Sequence, residues 1–161
     1  MLRYFKIILV VFVGLQGLLY FATNLANWNA AVGAVSAVIS MADRPWYPNA
    51  LVPAMTGTTA ATVGAVIIVT GELLVGVLSV YGALAMFGAV KKSPAEFHAS
   101  KTFALAGCAM ALVVWFGGFT VIGGGIFQMW QTELGQSSLG DAHKYYVTSG
   151  LVLLWLSMKE E

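Results

Sequence analysis

Four long apolar stretches, parted by short polar breaks, occupy most of this 161-residue chain. They constrain its fold more than any other feature. A peptide group left unpaired in hydrocarbon is costly, so only helices or a closed barrel can span a bilayer. Barrel strands alternate polar and apolar side chains over roughly ten residues. Here the apolar runs are continuous, so helices are expected. Charged residues make up 9% of the chain, against about 25% in an ordinary soluble domain, which makes lipid the expected solvent. The net charge of +1 and the lack of a basic cluster argue against a nucleic-acid partner. The single cysteine, Cys108, lies inside an apolar run and reads as a small packing residue.

The pattern predicts one all-α transmembrane domain over residues 1–161, a four-helix bundle with helices at about 5–23, 60–90, 102–130 and 145–158. Arg3 and Lys6 before Ile7–Val13 imitate a signal peptide, but the segment reads as a retained membrane helix. The long extracytoplasmic connection between the first two helices holds Trp28 to Met41, whose Ala31, Val35 and Val38 stand at helical spacing. It suits a short interfacial helix. Asp43 to Asn49, with two prolines beside Trp46 and Tyr47, reads as a turn at headgroup level. Lys91 to Pro94 stops the second helix, and a polar link is expected from Gln131 to Lys144. Arg3, Lys6, Lys91, Lys92, Lys101 and Lys159 fall on one side, Arg44 and Lys144 on the other. By the positive-inside rule both termini are cytoplasmic.

Glu72 is the sharpest chemical candidate, because an ionisable side chain at membrane depth is rare and costly. It could carry a proton, bind a cation or hold a ligand headgroup. The plainer alternative is a buried, protonated carboxyl bonded to a neighbouring helix. Gln16 is a second intramembrane polar residue, suited to gluing helices. Counted from the cytoplasmic ends, Gln16 and Glu72 differ in depth by roughly 12 Å at 1.5 Å per residue. Asn24 and Asn27 lie nearer the level of Glu72 and are its better partners. Trp28, Trp46, Tyr47, Trp115 and Trp130 are candidate anchors or interfaces. Gly117, Gly118 and Gly123 to Gly125, with the stripe Gly57, Ala61, Ala65, permit close helix approach. His98 and His143 fall on opposite sides, which argues against a shared metal or haem site. No catalytic motif is present, so neither an enzyme nor a cofactor is expected, beyond bound lipids.

The chain resembles a family of small predicted integral membrane proteins of bacteria. The resemblance is carried by Asn24 to Asn29, Ile39-Ser40-Met41-Ala42-Asp43, Thr70-Gly71-Glu72, and Trp115 to Phe119 leading to Gly123 through Gln131. It implies four helices and an address in the bacterial inner membrane. In the family pattern acids stand where this chain has Ala42 and Gly125, so an ionic site formed by those acids would be incomplete here. The favoured expectation is a non-catalytic accessory subunit packing against other integral membrane subunits and phospholipids. The alternatives are a small proton- or ion-coupled transporter using Glu72, and a lipid- or small-molecule-binding protein with a cavity containing Asn24, Asn27 and Glu72.

Overall fold

The computed structural model describes residues 1–160 and is helical throughout, with no strand among them. Helix α1 is Leu2–Ala26 and α2 is Trp28–Ser40. A connection without regular structure leads to α3, Thr58–Ala89. A short α4, Pro94–Ala99, precedes α5, Thr102–Ala111, which runs on as a wider π-helical segment over Leu112–Ile126. A single 3-10 turn, Met129–Gln131, leads into α6, Glu133–Ser157.

Three stretches are long and apolar enough to cross a membrane: Leu2–Ala26, Thr58–Ala89 and Pro94–Ile126. Their outward side chains stay apolar, as lipid-facing positions should: Phe12, Ile67, Leu84 and Val113 are each more than half exposed. The fourth long helix differs from its sequence expectation. It starts at Glu133 rather than near Tyr145, so most of the predicted polar link is helix. Thr132 accounts for the early start, its hydroxyl oxygen accepting from the Gly135 amide at 3.0 Å. The result is three apolar helices and one that is polar in its first half, not four alike. The third helix also ends sooner than predicted, at Ile126. Gln128 turns left-handed (φ 54°) and throws the chain back toward α6. Gly135 makes that return possible, since a Cβ there would collide with the Met129 carbonyl.

The helices approach closely where glycine removes a side chain. A Cβ on Gly17 of α1 would lie 2.7 Å from the Glu72 carbonyl oxygen and 2.8 Å from the Gly76 nitrogen of α3. That contact presses the middle of α3 against α1 and fixes the height of Glu72. The glycines singled out from sequence do less of this. Gly117 and Gly125 meet only their own helix, and Gly57 meets nothing, whereas Ala61 and Ala65 are buried.

One end of the molecule gathers charge. Lys6 of α1 and the fully buried Lys101 both pair with Glu160, the former at 2.6 Å. Lys101 also donates to the carbonyls of Leu156 and Met158 at 2.9 and 3.1 Å. Arg3 donates to the carbonyls of Val90 and Lys92 at 3.0 and 2.7 Å. These cations therefore meet the unpaired carbonyls that end α3 and α6, where positive charge is favoured. Phe97 lies beneath Arg3 and Lys101, its centroid 4.8 and 5.6 Å from them. The start of α1 and the end of α6 thus lie at the same end of the bundle.

Candidate functional site

Glu72 lies 17 residues from the end of α3 at Ala89, about 26 Å along the axis at 1.5 Å per residue. Its side chain is 1% exposed. Asn24, near the far end of α1, turns its Nδ2 to both carboxyl oxygens at 3.0 and 2.9 Å. Gln16 does not take part. It sits lower on α1, and its Nε2 is buried without a hydrogen-bond partner among the described residues. Asn27 faces outward, donating to the Thr23 carbonyl at 2.9 Å. Of the four polar candidates, two meet.

Above this pair the helices stand apart and leave a cavity of about 440 Å3. That volume falls within the range of about 300–1,000 Å3 usual for small-molecule sites. Its walls are apolar: Val35 and Ile39 of α2, Ile68 of α3, Phe119 and Ile122 of the π-helical segment, and Leu134 of α6. Asn27, grouped with Asn24 and Glu72 in one alternative reading of the sequence, is not among the lining residues. Its polar floor is Glu72, Asn24, Tyr20 and Tyr145. Asp141 also lines it, but is half exposed and paired with Lys144 at 2.9 Å. No lysine, arginine or histidine lines the space. Ile67, Ile122 and Leu134 on its border are partly exposed, which gives the rim an apolar character.

Three rings close around the floor. Tyr20, Trp115 and Tyr145 meet edge to face, with centroids 6.3, 5.1 and 5.4 Å apart, and the two tyrosine hydroxyls are hydrogen-bonded to each other. Trp115, a candidate anchor or interface residue, is 2% exposed and belongs to this cluster. Tyr20 and Tyr145 were not anticipated. Their only sequence signal was a hydroxyl on an otherwise apolar stretch at roughly the level of Asn24.

The remaining aromatic candidates form a clasp at the outer end. Trp46 stacks on Trp130 with centroids 6.3 Å apart, and Tyr47 meets the same ring at 5.4 Å. Gln131 holds them in place. Its Oε1 accepts from the amides of Trp46 and Tyr47 at 3.0 and 2.9 Å, and its Nε2 donates to the Tyr47 carbonyl at 3.2 Å. Gln128 accepts from Arg44 and donates to the Asn49 carbonyl. Trp28, by contrast, is half-buried at the first turn of α2.

No curated protein and no solved structure matches the chain. A family model described as a predicted small integral membrane protein (DUF2165) matches residues 2–159, and the chain belongs to that family of integral membrane proteins.

Proposed function

We propose that this protein binds a small lipophilic molecule inside the membrane, in the cavity between α2, α3, the π-helical segment and α6. One observation carries the reading: a chamber of about 440 Å3 with apolar walls and a single polar floor. Convergent polar groups in an apolar pocket are the usual form of a small-molecule site. The apolar border at Ile67 and Ile122 supports entry from lipid rather than water. A binding role, without catalysis, accords with a floor that holds one carboxyl, one amide and two phenols but no activated nucleophile. Trp115 gives the test. In a variant whose other four tryptophans are phenylalanine, 1-bromodecane should quench Trp115 saturably. Filling the cavity with Ala31→Phe should abolish the saturable part. Linear, unsaturable quenching in both proteins would end the reading.

We infer further that α6 makes a fourth crossing. Support comes from the ion pairs of Lys6 and Lys101 with Glu160, since ends that meet on one face imply an even number of passes. The same end carries most of the lysine and arginine, so it is assigned to the cytoplasm of a bacterial inner membrane. Service as an accessory subunit is the second reading. Gly117 and Gly125, which pack against no other helix among the described residues, favour it. Stoichiometric recovery of a second membrane subunit after mild extraction would test it.

A further inference from the structure

We propose that the cavity's ligand carries an ammonium group, paired with Glu72 on the side of the cavity lined by Tyr20, Trp115 and Tyr145. The proposal rests on the lipophile-binding reading and names the chemistry of its polar end. Three observations lead to it. First, the only charged side chains that line the cavity are carboxyls, Glu72 and Asp141. Asp141 has its counter-ion in Lys144, whereas Glu72 makes no ion pair among the described residues. Second, both Glu72 oxygens share one Asn24 nitrogen, and a carboxylate offers about four acceptor sites. Acceptor capacity therefore remains unused on a buried carboxyl. Third, Tyr20, Trp115 and Tyr145 line the same cavity as Glu72, and aromatic faces attract cations. An anionic head would meet like charge wherever Glu72 ionises, whereas an ammonium would hold it in its ionised form by pairing with it. An ammonium satisfies both the charge and the rings, while its hydrocarbon part fills the walls at Val35, Ile68 and Phe119.

Two sources present this chemistry, a free lipophilic amine and the amino head of a membrane lipid. The test uses the whole protein in phosphatidylglycerol nanodiscs. Radiolabelled decylammonium, 1-decanol and decanoate are titrated into wild type, Glu72→Gln and Trp115→Leu. The expected result is one saturable site for decylammonium, at least about tenfold tighter than for decanol, with decanoate rejected. Glu72→Gln should remove that tenfold preference. Trp115→Leu should narrow it, and serves should the Glu72 variant not fold. Equal binding of decanol and decylammonium to wild type overturns the ammonium assignment and leaves the lipophile reading standing. No saturable binding of any probe overturns both. Repeating the titration with phosphatidylethanolamine in the disc separates the sources: competition assigns the site to a lipid head, and its absence to a free amine.

Discussion

Asn24 and Glu72 meet through a single nitrogen, with Nδ2 of Asn24 at 3.0 and 2.9 Å from the two carboxyl oxygens. A buried acceptor that loses its only donor costs more than a pair removed together. Asn24→Leu should therefore lower stability by about 1–3 kcal/mol, above the roughly 0.6 kcal/mol typical of a hydrogen bond between membrane helices. The double variant Asn24→Leu, Glu72→Leu should recover part of the loss. Thermal unfolding in maltoside micelles reads both, and equal losses would detach the cost from the stranded carboxyl.

Two glycines should respond with opposite sign. Gly17→Val drives a side chain into the α3 backbone at Glu72 and Gly76, which cannot yield as a flexible side chain would. Its cost belongs at the upper end of overpacking, about 3 kcal/mol. Gly33 in α2 has no neighbour within 4 Å, so Gly33→Ala should stabilise by about 0.5–1 kcal/mol through helix propensity. The same melting measurement separates them.

At the charged end, stability should depend on pH through Glu160. Burial works to raise its pKa, but the hydrogen bonds and charges of Lys101 and Lys6 outweigh that and hold the carboxyl below its ordinary range. A depressed folded-state value means that the contribution is complete above the unfolded pKa, about 4.3, and is lost as pH falls through the folded value. Glu160→Gln should cost about 1.5–3 kcal/mol at neutral pH. Wild type and variant melts should converge only in acid well below pH 4.3. A constant gap across that range would show that the Gln variant disturbs packing instead.

The outer clasp should open when Gln131 is removed. Gln131→Ala deletes three hydrogen bonds to the Trp46–Tyr47 backbone. Chymotrypsin should then cut after Trp46 about ten times faster, as a net loss of about 1.4 kcal/mol in local closure implies. Unchanged cleavage would place the restraint in the Trp46–Trp130 stack.

Cysteines introduced at positions 3 and 160 should react with an impermeant maleimide from the same face of inverted vesicles, and one at Leu51 from the other. Labelling of positions 3 and 160 from opposite faces would leave α6 out of the bilayer.

Much of this arrangement was legible from residue order, for definite reasons. Long apolar runs report the solvent around a helix, so α1, α3 and the stretch through Ile126 stood out. Rise per residue put Asn24 and Asn27, and not Gln16, near the level of Glu72, but could not tell which of the two faces it; only Asn24 does. The start of α6 was hidden because hydropathy says nothing about backbone structure in polar residues. Only Thr132, three positions before Gly135, hinted at a cap. Ser93 and Glu96, each side chain accepting from the other's amide at the start of α4, went unread behind the helix stop at Lys91 to Pro94. The ring of Tyr20, Trp115 and Tyr145 depends on how three helices are rotated about their axes, which spacing along one helix does not record. Gln131 reads in the sequence only as the first residue of a polar link, whereas the left-handed turn at Gln128 brings it inside, 5% exposed. The π-helical widening over Leu112–Ile126 left no mark in periodicity beyond its glycines.

Lys6 and Glu160 are separated by 154 positions, so their contact closes a loop through every helix of the domain. Entropy penalises such closure only logarithmically, by about 0.6 kcal/mol per doubling. The contact joins the first and last helices, so a donor and acceptor dye attached there would report closure of the whole chain rather than any local turn. Such a gauge would allow folding of the chain to be followed as bilayer thickness or lipid charge is varied.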